Sequence, residues 1–320
     1  MGFNIMVEIY GPGVKYYEFE LDSLDAEKAA VNGVSAIDWP MFQIGGKKPL
    51  ENIVAFKILE VQIPFTWYVF NSSNNTFVYQ DNLVGPFTIT FPIGNYTATQ
   101  ITVILAGLLN AVQGTFVYTV THDNALQKFT IWNNVANSAN AFALTFGLNT
   151  DNVGNTNPAL LLGYNAGVNS SNGYLASGTN FGVFLTAPNA MSVTGPNYLY
   201  INSTKLGTLT DIYLPRGAAN LGGGNAGPQM AKVPVNVQPG GIVYWSDPNP
   251  DRWFDLENLG SLTEIDFYLS VGNTSAQTPL QLNGQPFSLK LGLLMNDFSS
   301  GAYSSGPQSN DRVRSRITKR

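Results

Sequence analysis

Catalysis and metal binding need acids, bases or ligands held at set distances. The densest group of such side chains lies in GGIVYWSDPNPDRWFDL, residues 240–256. Asp247, Asn249 and Asp251 alternate there, like the opening of an oxygen-ligand calcium loop. A helix–loop–helix calcium site also needs glycine at its sixth position, for the turn, and glutamate at its twelfth. Arg252 and Asn258 stand in those places. The pattern therefore supports only a cation site of another geometry, with Asp247, Asn249 and Asp251 as its weak metal candidates.

The other signals are thinner. The chain has no cysteine and one histidine, His122. That removes disulfides and thiol chemistry, and it leaves too few ligands for zinc. A Ser-His-Asp relay would need His122 as its base. His122 instead falls beside Asp123 in an expected hairpin turn, a place for exposed polar residues. GGGNAG (222–227) matches a dinucleotide fingerprint in letters. The fingerprint needs a following helix whose N-terminus meets the pyrophosphate, whereas PQMAKVPV follows and reads as strand. No pair among the 21 acids is singled out for glycoside hydrolysis. No catalytic residue and no cofactor is assigned, and the reading is that the chain is not an enzyme.

Net charge is -5, so no global basic field invites nucleic acid. The last ten residues, DRVRSRITKR, run against that balance. Arg312, Arg314, Arg316, Lys319 and Arg320 face one acid, Asp311. Such a run reads either as a solvated tail or as an arm that binds phosphate without reading bases.

The elements that must position these residues are mostly strands. Hydrophobic residues make up 44% of the 320, enough for a core, while charged residues are only 12%. The polar surface therefore falls to Asn, Ser, Thr, Gln and Gly, which suits packing against copies of the same chain. NIMVEIYGPGVKYYEFEL (4–21) reads as two extended runs about a Gly-Pro-Gly turn. SLDAEKAAV (23–31) reads as a short helix capped by Ser23. Residues 52–70 form a long strand run broken at Pro64. Runs at 75–80, 85–94 and a hairpin at 115–132 follow.

One helix stands out, TATQITVILAGLLNAVQG (97–114). Thr97 and Gln100 make a capping box. Ile101, Ile104, Leu105, Leu108, Leu109 and Val112 recur at helical spacing. Residues 133–196 read as a long Asn/Gly-rich insertion, and strands resume from 197. No run reaches the roughly 18 apolar residues of a membrane span, and the N-terminus lacks signal-peptide character.

About eight principal strands with one helix predict an all-β fold, a single eight-stranded jelly-roll sandwich or barrel. The expected organisation is an N-terminal arm (1–47), a jelly-roll domain (48–298) with the insertion at about 133–196, and a flexible basic tail (299–320).

The C-terminal third carries a resemblance. NYLYINSTKLGTL (197–209), MAKVPV (230–235), GGIVYWSD (240–247), LTEIDFYLSV (262–271) and LQLNGQPFSLKLGLL (280–294) occur in that order. More loosely, IPFTWYVFN (63–71) and ITFPIGNYTATQITVILAGLLN (89–110) precede them. Together they resemble the single jelly-roll capsid proteins, penton-type and minor, of tailless DNA viruses of the virophage, adintovirus and polinton-like group. The resemblance spans roughly 50–295. It implies a capsid structural protein of the virion that self-assembles as a vertex or shell-forming subunit. Its partners would be copies of itself, as a pentamer, other capsid subunits, and packaged DNA at the tail. The alternative is a jelly-roll carbohydrate-binding or adhesin-like module using calcium at Asp247, Asn249 and Asp251. A hydrolase with His122 as base is the weakest reading.

Overall fold

The computed structural model describes residues 8–9, 14–29, 34–44, 49–72, 74–81, 85–112, 116–134, 141–146, 158–171, 174–177, 180–207, 229–249, 253–256, 262–271 and 279–296. The chain divides into two compact units, residues 1–66 with 198–320, and residues 67–197.

The first unit opens with β1 (Glu8–Ile9), β2 (Val14–Asp22), β3 (Lys28–Ala29), β4 (Pro40–Gln43) and β5 (Ile53–Pro64). The second unit contains β6 (Thr76–Asp81), β7 (Phe87–Thr90), α1 (Ala98–Val112), β8 (Tyr118–Asp123), β9 (Lys128–Asn133) and β10 (Phe142–Phe146). It continues with α2 (Pro158–Leu162), β11 (Gly167–Ser170), β12 (Tyr174–Ser177) and β13 (Asn180–Thr186). The chain then returns to the first unit. There it adds β14 (Tyr198–Asn202), α3 (Thr204–Gly207), β15 (Gln229–Pro234), β16 (Ile242–Ser246), β17 (Phe254–Asp255), β18 (Glu264–Asp266), β19 (Tyr268–Ser270) and β20 (Ser288–Asn296).

The pairing in the first unit is that of a jelly roll. Only Phe267 separates β18 from β19, so the two act as one strand. Eight principal strands result: β2, β4, β5, β14, β15, β16, β18–β19 and β20. The first pairs with the eighth (β2 with β20) and the second with the seventh (β4 with β18). The third pairs with the sixth (β5 with β16) and the fourth with the fifth (β14 with β15). Two further pairings, β20 with β5 and β19 with β14, gather these hairpins into sheets. This nesting of antiparallel pairs defines the double-sheet jelly roll.

Alternation explains why the sheets form. In the β2–β20–β5 sheet, Phe19, Leu291 and Ile58 share one row, and Leu21, Leu289 and Val61 the next, all buried. On the other face Glu20 lies opposite Lys290, which lies opposite Glu60. A one-residue slip would exchange these faces, so the hydrophobic pattern fixes the register.

Two expectations are corrected here. The arm at 1–47 supplies β2 and β4, the first two strands of the roll. Its run of residues reads as too poor in apolar side chains for a core because the buried Tyr16, Phe19 and Leu21 of β2 are interleaved with Glu18, Glu20 and Asp22. The helix expected at 23–31 is a single 3-10 turn, Ser23–Asp25. The Asp22 carboxylate caps it, accepting from Leu24 N at 2.9 Å, while the Ser23 hydroxyl accepts from Phe287 N. Lys28 and Ala29 pair with β4 instead of continuing a helix.

The second unit has two four-stranded antiparallel sheets, β11-β10-β6-β7 and β12-β13-β9-β8. The Tyr118 ring on β8 meets Tyr79 and Phe142 of the other sheet edge-on, with centroids 5.6 and 5.3 Å away. The helix forms where expected. Thr97 N donates to Gln100 Oε1 (2.9 Å) and Gln100 N donates to Thr97 Oγ1 (3.3 Å), the reciprocal capping box. Ile101, Leu105 and Leu109 are buried, and Ile104 and Leu108 flank them half-buried. Much of the stretch at 133–196, expected as an insertion in a single roll, belongs to these sheets. Its short strands carry apolar residues in pieces too brief to register as strands without their partners.

Candidate functional site

The stretch 240–256 is one interrupted edge strand. β16 pairs with the end of β5 (Ile242 opposite Pro64 through Ser246 opposite Glu60), and β17 pairs with its beginning (Phe254 opposite Phe56). Regular pairing in β16 ends at Ser246. Asp247 N still donates to Leu59 O at 2.9 Å, and Leu256 N rejoins β5 at Val54 O at 3.0 Å. Pro248 has no backbone donor to offer β5, so pairing lapses there.

Two described residues between β16 and β17, Trp253 and Asn249, are tied to the outer face of the sheet. Trp253 meets the Tyr16 ring edge-on at 5.8 Å and packs against the row of Tyr16, Leu294 and Ala55. Gly292 permits this approach. A Cβ there would lie 3.1 Å from Tyr16 Cε2 and 3.4 Å from the Trp253 ring. Lys57, 4% exposed, donates from Nζ to the backbone carbonyl of Asn249 at 3.0 Å.

That lysine bears directly on the cation candidates. Asp247 Oδ1 accepts from Asn249 N at 3.0 Å, a local turn, and the Asn249 carbonyl accepts from an ammonium. The loop already holds a positive charge, and it is Lys57. Asp251 lies outside the described residues, as do GGGNAG and Arg312, Arg314, Arg316, Lys319 and Arg320. No group of three His, Cys, Asp or Glu side chains that could hold a metal occurs among the described residues.

His122 lies on β8, opposite Phe129, with ring centroids 5.3 Å apart. The neighbouring Asp123 carboxylate accepts from Leu126 N and Ala125 N. Those bonds to Leu126 and Ala125, with the nearby His122, hold it below the usual carboxylate range. Asp123 therefore serves the turn rather than orienting a base.

Two polar clusters were not evident from the sequence. The first centres on Asp266, 1% exposed. Its carboxylate accepts from Trp39 Nε1 (2.9 Å), Ser203 Oγ (3.2 Å), Thr204 N (3.1 Å), Lys205 N (2.8 Å) and Thr204 Oγ1. It thus satisfies the free N–H groups that open α3 and ties the end of β14 and the residue before β4 to β18. Burial, then the charge of Asp266, pushes the adjacent Tyr268 hydroxyl up to about 12.

The second cluster is a proton-ordered chain in the other unit. Asn133 Nδ2 donates to Tyr118 OH (3.2 Å), and the Tyr79 hydroxyl donates to Asp81 Oδ2 (2.6 Å). Tyr118 must then donate across the 2.5 Å contact to Tyr79. Burial drives both tyrosines far above the ordinary phenol range, aided at Tyr79 by the bond to Asp81. In an isolated strand, nothing local separates these polar groups from solvent-facing ones. Only long-range pairing reveals that they are covered.

The arrangement offers binding surfaces and fixed polar joints, with no nucleophile aligned to a base among the described residues. It defines the class: an all-β protein built on a jelly roll. Across solved structures the chain is similar to the mavirus penton protein, at 12% identity over 87% of this chain and 98% of that one (TM-score 0.47). It is likewise similar to a chain of the Sputnik virophage structure from cryo-EM, at 14% identity over 92% and 100% (TM-score 0.46). Likeness at that level says nothing about activity. No protein-family model matches the sequence, and no curated protein matches it.

Proposed function

We propose that the chain is a capsid structural protein that assembles with copies of itself into a viral shell, as a vertex or shell-forming subunit. One observation carries this reading. The five sequence runs that resemble virophage-type capsid proteins coincide with the last five principal strands of the jelly roll: β14, β15, β16, β18–β19 and β20. A likeness scattered by chance would not follow the strand order of one sheet sandwich. Low charge and a surface of neutral polar residues favour large subunit contacts. The ties of Lys57 to Asn249 and of Tyr16 to Trp253, with the Asp266 joint, suit the rigidity a shell subunit needs. Location in the virion, a pentameric state and contact of Arg312, Arg314, Arg316, Lys319 and Arg320 with packaged DNA belong to the same proposal.

The test is electron microscopy and light scattering of the purified full chain across protein concentration and ionic strength. Rings or closed particles are expected. A strict monomer at high concentration under every salt condition would overturn the proposal. The calcium-dependent module is disfavoured by Lys57, whose ammonium already occupies the Asn249 carbonyl.

A further inference from the structure

Charge is divided very unevenly between the two units. Of 21 acids and 16 lysines and arginines, residues 67–197 hold only Asp81, Asp123, Asp151 and Lys128. From 82 to 121 there is no charged residue and no histidine at all. That run contains β7 and α1, which pack against each other. A monomer of ordinary solubility interleaves charges with the apolar side chains it exposes. Here Phe87, Ile93, Val103 and Val117 are all exposed, Val103 at 69% and Ile93 at 50%. The exposed side of α1 otherwise presents Thr99, Gln100, Gly107 and Ala111, while the Asn110 amide is spent on the backbone of Tyr118.

We infer that this charge-free face, β7 with the outer side of α1, is a contact surface between copies of the chain, and that its occupant is the same face of a second copy. The inference rests on the self-assembly reading above and names a surface for its two-fold contacts, since a face that meets its own copy closes a pair and a pentamer must use another face. The choice of occupant follows from electrostatics. A nucleic acid or an anionic headgroup needs lysine or arginine, and the run has none. A helix lying in a membrane interface carries a basic rim, and α1 has no charge anywhere. A charged protein partner would leave its charges desolvated against neutral side chains. The surface that matches is one equally neutral. Threonine and glutamine side chains are donors and acceptors at once. A rim made of them is complementary to itself, whereas a rim of one charge repels its copy. Depletion of charged residues at the core of the patch is what distinguishes an interface from the rest of a surface.

The experiment is sedimentation velocity of the full chain, with hydrogen exchange read at high and low protein concentration. Val103→Lys and Ile93→Lys place a charge on exposed positions, and lysine is a better helix former than valine, so the fold should hold. Each variant is expected to weaken self-association by at least about tenfold. Val103→Thr, neutral and similar in shape, should keep it. Amides in β7 and α1 should gain protection as the wild type is concentrated. Unchanged association in both lysine variants, with no added protection, would overturn the inference while leaving assembly through another face intact. A wild type that never associates would remove both the inference and the function it rests on.

Discussion

Asp266 carries more of the jelly roll's polar connectivity than any other described side chain. Removing its carboxylate strands the indole N–H of Trp39, the opening amides of α3 and two hydroxyls at once. Hydrogen bonds to a charged group are worth about 1.5–3 kcal/mol each, with losses that are not additive. Asp266→Ala should therefore cost at least about 3 kcal/mol in chemical denaturation, and Asp266→Asn clearly less. A loss under about 1 kcal/mol for the alanine variant would mean the network is ornamental.

The Glu18–Lys290 pair, 2.6 Å apart on the outer sheet face, gives a pH signature. Burial raises the Glu18 carboxyl, but hydrogen bonds from Lys290 and Tyr16 and the Lys290 charge outweigh it, so its net pKa lies below the ordinary value. Lys290 is raised, chiefly by its bond to Glu18. A lowered acid contributes above its unfolded pKa of about 4.3 and loses that as pH falls through the folded value. A raised lysine contributes below about 10.4 and loses that as pH rises through the folded value. Lys290→Met should accordingly cost about 1 kcal/mol on a plateau between those limits, with the deficit closing at either end. A pH-independent deficit would assign the loss to packing instead. Neither cluster could be read from the sequence. Asp266 and Glu18 both sit where alternation predicts an exposed polar residue, and nothing local distinguishes the one that becomes buried.

Elements are more legible than residues because their signals are local. The Thr97/Gln100 box and the stripe of Ile101, Leu105 and Leu109 declare α1, and Pro64 ends β5 where expected. The helix expected at 23–31 loses to long-range pairing of Lys28 and Ala29 with β4. The DPNPD loop reads as a strand exit, which holds, but its return to β5 at Phe254 is hidden behind the interruption. Two substitutions in α1 test the local account. Gly107 lies in the helix interior, and a Cβ there would meet nothing within 4 Å. Gly107→Ala should stabilise by about 0.5–1 kcal/mol, since it lowers the entropy of the unfolded chain and meets no clash. Thr97→Ala should destabilise by about 1 kcal/mol through loss of the cap. Thermal melts of both variants and their combination decide it. A Gly107→Ala variant that melts lower than the wild type at low protein concentration, where copies are apart, would overturn this local account.

At the scale of the whole chain, the sequence declares eight principal strands and a jelly roll but draws several of them from the wrong place. Runs at 75–80, 85–94 and 115–132 look like strands because they are strands, yet they build the second unit, while β2 and β4 complete the roll. Strand signals carry no label for the sheet they will join. Charge, by contrast, is assigned by position alone, and it splits the molecule into a nearly neutral unit at 67–197 and a unit holding almost all the ionic groups, the tail included. This division predicts two kinds of contact with opposite salt behaviour. If Arg312, Arg314, Arg316, Lys319 and Arg320 each neutralise one phosphate, duplex binding should weaken with salt along a log–log slope of about 0.9 per contact. Deleting 311–320 should then flatten that slope by about 4.5 and lower affinity equally for unrelated sequences, since no base is read. Self-association through the neutral face should change little over the same salt range, because residues 82–121 carry no charge to screen. Fluorescence anisotropy on two unrelated duplexes, alongside sedimentation at matched salt, measures both. A deletion that leaves the slope unchanged would assign the tail to another partner, and assembly that dissolves steeply with salt would place the subunit contact on the charged roll.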